Sequence, residues 1–163
     1  MHQVPSASRR DFQRIIEEGY ECCRKHHSDS WILEPVEEVV GVFNGIIFAK
    51  ADDEIPGAAF SFTLYIDPQN LADQPRVQFD KNLEHPYILP SPTGSGGLFC
   101  FPTAGISCRE KMNVILDNLS KSFFFKKVSG AVNPAAETKL RKNPKAFWAK
   151  LFSDGALGSN SPQ

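Results

Sequence analysis

The chain has 163 residues but no run of about 20 apolar residues, the length a bilayer-crossing helix needs. The segment from Met1 to Arg10 is too short and too polar for a secretory signal. Cysteine is scarce and irregularly placed. Of the four, Cys22 and Cys23 are adjacent while Cys100 and Cys108 flank a short loop, which is no regular disulfide framework. Reduced thiols and a cytoplasmic or nuclear location are expected. An excess of either charge is also lacking: 18 Lys and Arg against 19 Asp and Glu leave a formal charge of −1 and a pI near 6.4. That balance favours neither nucleic acid nor insertion into a membrane. Lys139-Leu140-Arg141-Lys142 with Lys145 reads as the solvated face of a helix. Gly94-Ser95-Gly96-Gly97 lacks the Gly-Lys-Ser/Thr ending of a phosphate loop and reads as a flexible connection. No internal repeat of supersecondary length is present.

What the chain does contain suits one domain with one core at 18.1 kDa. Residues 1–8 and 153–163 are small and polar and are expected as flexible ends, leaving 9–152 as the domain. Phe12, Ile15, Ile16 and Tyr20 fall at helical spacing among charged residues, which predicts an amphipathic helix near the amino terminus. At its end, Cys22/His26 and Cys23/His27 lie one helical turn apart and have side chains able to bind zinc. The two pairs point in different directions, and one helix cannot converge four ligands. No metal and no cofactor is assigned.

Strands follow. Phe60, Phe62, Leu64 and Ile66 alternate with Ser61, Thr63, Tyr65 and Asp67, the period of a half-buried strand. Val39 to Phe43 and Ile46 to Ala49 read either as one strand bent at Asn44-Gly45 or as a hairpin turning there, because Asn-Gly is a strong turn signal. Asp52 to Gly57 makes a polar turn, 68–75 a longer loop, and Val77-Gln78-Phe79 a short strand. Pro86, Pro90, Pro92, Gly94, Gly96 and Gly97 exclude regular helix or central strand from 84–97, so a loop is expected.

Ser107-Cys108-Arg109-Glu110 has the pattern of a capping box, and Met112, Ile115, Leu116 and Leu119 continue it at helical spacing to about Lys121. Asn133-Pro134 and Asn143-Pro144 each set a capping side chain before a proline, which predicts two short helices broken at Asn143. Helix, strands, then helices is an α+β order.

Several of these segments, in this order, resemble the ubiquitin-conjugating enzymes. Gly57-Ala58-Ala59-Phe60 is similar to that family's glycine and third strand, and Pro75-Arg76-Val77-Gln78-Phe79 to its Pro-x-Val-x-Phe strand. His85-Pro86 resembles its His-Pro pair, Gly97-Leu98-Phe99-Cys100 the approach to its nucleophilic cysteine, and Asn133-Pro134-Ala135-Ala136 its Asn-Pro-Glu-Ala helix start. The likeness covers roughly Gly41 to Leu151. It implies an amino-terminal helix, a four-stranded antiparallel meander and carboxy-terminal helices, with Cys100 in the catalytic position. Within that superfamily, Gly41 to Phe48, Phe60 to Ile66 and the short spacing to Pro75 resemble most the Fused Toes class, also called AKT-interacting protein. That class is a variant without the catalytic cysteine, so Cys100 departs from it.

Ubiquitin transfer needs an accessible thiolate and a donor aimed at the oxyanion, a group worth about 10²–10³ in rate. The family supplies that donor as an asparagine after His-Pro, where this chain has Tyr87. Extra residues between His85 and Cys100 are expected to displace the cysteine. The family's Trp-x-Pro element is replaced by Phe101-Pro102-Thr103, and only Ser129 stands where an acidic or hydroxyl helper would receive the lysine. Cys100 then reads as a small half-buried apolar residue, and His85 as a structural hydrogen-bonding partner. The resemblance implies a catalytically deficient interaction module, with Hook-type coiled-coil adaptors and their companion protein in vesicle or dynein-linked transport as partners. The alternative is an active enzyme carrying ubiquitin or a related modifier as a thioester on Cys100, with His85, Pro86 and Tyr87 around it.

Overall fold

Alternating burial in one segment organises the sheet. The computed structural model describes residues 6–25, 28–90 and 97–158. In it Phe60, Phe62 and Leu64 point inward from β3 (Ala59–Tyr65) while Ser61, Thr63 and Tyr65 lie on the other face. An antiparallel meander forms from β1 (Trp31–Pro35), β2 (Val42–Phe48), β3 and β4 (Arg76–Phe79), with Ile47 paired to both Trp31 and Phe60 and Phe62 paired to Phe79. The sheet continues beyond the four expected strands. Two short strands, β5 (Ile88–Leu89) and β6 (Leu98–Phe99), extend it in the order β1-β2-β3-β4-β6-β5. Part of the Pro-rich segment expected as loop is therefore an edge strand. Pro90 follows β5 and does not interrupt its pairing.

Asn44-Gly45 makes no turn. Both lie inside β2, and a Cβ on Gly45 would collide with the Phe62 ring opposite it. The glycine lets a large ring lie against the backbone. The chain instead reverses between β1 and β2 over residues 36–41, where Val36 N–H donates to Val42 O (3.0 Å) and Gly41 takes φ 90°. Val39 and Val40 are exposed in that turn and lie outside the strand.

Helix α1 (Ser6–Lys25) buries Ile15 and Ile16, and its Tyr20 ring lies 5.9 Å from Phe43. Helix α2 (Met112–Phe123) starts five residues after the serine expected to cap it, because Ser107 closes a separate turn. Ser107 Oγ accepts from Arg109 N–H (3.2 Å) and Ser107 O from Glu110 N–H (3.1 Å). The Glu110 carboxylate accepts from Lys111 N–H and does not return to Ser107. Met112, Ile115, Leu116, Leu119 and Phe123 all face the core.

The two Asn-Pro starts are real caps. Asn133 Oδ1 accepts from Ala136 N–H at the head of α3 (Pro134–Lys142), and Asn143 Oδ1 from Ala146 N–H at the head of α4 (Pro144–Gly155), each at 3.2 Å. Asn143→Ala is expected to cost about 1 kcal/mol, read as a lowered urea midpoint with an unchanged slope. Helix α4 passes the tail boundary expected at 153. Gly155 is buried against Leu83, where a Cβ would clash, and Leu157 N–H donates to Ala59 O at 2.6 Å. Backbone pairing therefore holds the first part of the segment expected as a flexible tail, and residues 159–163 lie outside the described residues.

Candidate functional site

The end of the sheet at β5 and β6 gathers the residues singled out in the sequence. Register pairs Ile88 with Phe99 and Leu89 with Leu98, while residues 91–96 of the segment expected as a flexible connection lie outside the described residues. The extra residues therefore do not carry Cys100 away from the His-Pro segment. Cys100 N–H donates to Tyr87 O at 2.7 Å, holding the cysteine directly beside Tyr87. This corrects the displacement expected from chain length, since β5 and β6 pair on either side of the added residues.

The next residue is held as firmly. Phe101 N–H donates to Gln74 Oε1 (3.0 Å) and Gln74 Nε2 donates to Phe101 O (3.2 Å). Gln74 is a site residue that the sequence reading missed, and a glutamine in a polar loop carries no signal that would single it out. The Phe101 ring is buried edge-on to Phe99 with centroids 5.2 Å apart, which fills core beside Cys100 where the resemblance expected a tryptophan element.

His85, Pro86 and Tyr87 each grip a different part of the segment that leaves α2. His85 has no exposed surface, and its Nε2 lies 2.8 Å from Phe123 O while its Nδ1 lies 3.0 Å from Tyr87 N–H. The N–H of Tyr87 can only donate, so Nδ1 is the acceptor and Nε2–H donates to Phe123 O. Burial lowers the pKa of this imidazole to about 4, against the weaker opposing effect of its bond to Phe123. Pro86 O accepts from Val132 N–H (2.8 Å) and Asn133 N–H (3.1 Å). The Tyr87 hydroxyl accepts from Ser129 N–H at 2.8 Å, and its ring is buried.

Cys100 itself is half-buried, and burial raises its pKa above the ordinary thiol value. Activated cysteines have the opposite shift, produced by a cation, a helix N-terminus or a metal. Beside Tyr87 and Ser129 opens a cavity of about 900 Å³, running past Phe125 and Lys126 to Asp53. Cys100 is not among the residues that line it. Cys22 and Cys23 are half-buried on α1 with their pKa values raised, chiefly by burial. His26 and His27 lie outside the described residues, and among the described residues no group of His, Cys, Asp and Glu is arranged to hold a metal. No described helix is long and apolar enough to cross a membrane.

No family model matches the chain, and no curated protein matches it by sequence. Its fold is similar to a solved structure described as "Novel Ubiquitin-Conjugating Enzyme", with a TM-score of 0.68 and 17% identity over 91% of this chain and 97% of that one. The fold is accordingly ubiquitin-conjugating-like: an amino-terminal helix, an antiparallel sheet and carboxy-terminal helices.

Proposed function

We propose that this chain is a catalytically deficient ubiquitin-conjugating-like domain serving as a protein-interaction module, like the Fused Toes variants its sequence resembles. Its partner would be a Hook-type coiled-coil adaptor of vesicle transport. The observation that carries this reading is how the His85-Pro86-Tyr87 segment is used. His85 Nε2–H and Pro86 O hold the 123–133 segment, and the Tyr87 hydroxyl, at the position where the family has an asparagine, is anchored to that segment by accepting from Ser129 N–H. The neighbouring thiol is shifted away from the thiolate, the form that attacks. One observation favours the alternative of an active conjugating enzyme: Cys100 keeps part of its surface exposed directly after Tyr87's partner strand.

The two readings separate in a single assay. Incubated with activating enzyme, ATP and a panel of ubiquitin-like modifiers, the protein is expected to form no reductant-sensitive adduct. An adduct that vanishes in Cys100→Ser overturns the interaction reading. A purified Hook-type coiled coil is expected to bind wild type and Cys100→Ser equally.

A further inference from the structure

The cavity beside Tyr87 has a volume within the range of ligand sites, and its lining is polar above an aromatic floor. Phe124 and Phe125 form the floor and are buried. Two hydroxyls at the end of α2 line it: Ser120, 5% exposed, and Ser122, 9% exposed. Neither side chain takes a hydrogen-bond partner among the described residues. Neither oxygen is a buried unpaired atom, so both hydroxyls are open to the cavity, where they can hydrogen-bond a polar occupant.

The charges on the rim decide what kind of occupant. Lys50, Lys121, Lys126 and Lys127 line the cavity together with Asp52, Asp53 and Asp117. Asp53 is used internally, accepting from Lys126 Nζ (2.9 Å) and from Lys50 N–H (2.6 Å). Asp117 accepts from Trp31 Nε1–H at 2.8 Å. Three ammonium groups, on Lys50, Lys121 and Lys127, then remain without an ion pair among the described residues, against the carboxylates of Asp52 and Asp117, so the rim keeps a positive excess. We infer that this groove docks an Asp/Glu-rich segment of a partner protein. Its carboxylates meet those three lysines, and its backbone N–H groups donate to Ser120 and Ser122. The inference rests on the interaction-module reading only in taking the occupant to be a protein.

A fluorescein-labelled peptide of alternating Glu and Gly, titrated against the full chain by anisotropy, tests this, with the Lys/Gly counterpart as control. The Glu/Gly peptide is expected to bind and to weaken as salt is raised. Lys121→Glu combined with Lys127→Glu should lower its affinity by about tenfold or more. Asp52→Lys should raise it. All three positions are exposed, so circular dichroism of the variants should match wild type. The proposal fails if the Glu/Gly peptide does not bind, if the Lys/Gly peptide binds as well, or if the double lysine variant binds unchanged. The thioester assay is independent of these titrations. An adduct on Cys100 sinks the interaction reading without touching the groove, and absent peptide binding sinks the groove alone.

Discussion

Phe123→Ala should lower the unfolding free energy by about 3–5 kcal/mol, a large part of the stability of an ordinary domain. Phe123 ends α2 with no exposed surface and is the ring on which the two halves of the molecule meet. Its centroid lies 4.7 Å from Phe60 on β3, 4.8 Å from Phe79 on β4, and 4.6 Å from His85, whose ring stacks on it at 20°. Neighbours held by sheet pairing cannot close over the lost ring, so a cavity remains and its cost adds to the lost transfer energy. Urea unfolding followed by fluorescence gives the value directly. A midpoint close to wild type would mean that the ring does not connect sheet and helix as described.

The second large effect depends on pH. Acidification from about pH 7 to about pH 4.5 should remove roughly 2–3 kcal/mol of stability through His85 alone. Its folded pKa, about 4, lies below the ordinary 6.5, so as pH falls the unfolded chain takes up this proton first. Its contribution is complete above pH 6.5, declines between 6.5 and 4, and is lost below that. Protonation would place a hydrogen on Nδ1, which already accepts from Tyr87 N–H, inside a cage of Phe99, Phe123, Phe125 and Tyr87 rings. Carboxylates elsewhere also titrate towards acid, and the control is His85→Gln. That variant should be less stable at neutral pH but show a flatter dependence between pH 6.5 and 4.5. An equal slope in wild type and variant would remove the imidazole from the explanation.

Where sequence reading succeeded, the physics was local. The alternation in Phe60 to Ile66, the helical spacing of Met112 to Leu119 and the two Asn-Pro caps each need only a few neighbouring residues to declare themselves. Where it failed or left a choice open, a distant partner decided. Asn44-Gly45 read as either strand or hairpin, and the Phe62 ring across the sheet, which needs the space a Cβ would take, goes with the strand. Ser107 to Glu110 carries a capping signal, but the turn it closes leaves the helix to begin at Met112. Gln74 carries no signal, yet both its amide atoms hold Phe101, the residue after the candidate thiol.

The opposite case is the stretch between His85 and Cys100. Its added residues suggested a displaced cysteine, yet the pairing of Leu89 with Leu98 keeps Cys100 beside Tyr87. Separation along the chain is a poor guide to separation in space when two short strands pair across the insertion.

Taken alone, the amino-acid sequence determined the α+β order, the inward residues of the central strand and the helix starts at Asn133 and Asn143, because each is encoded by short-range periodicity or capping chemistry. Only the tertiary structure decided what surrounds that cysteine. It set Cys100 beside Tyr87, gave the Tyr87 hydroxyl to Ser129, closed His85 in a cage of rings and lined a cavity with lysines far apart in sequence. Burial and hydrogen-bond partnership belong to the packed chain, and those two quantities set the protonation of the thiol and the imidazole.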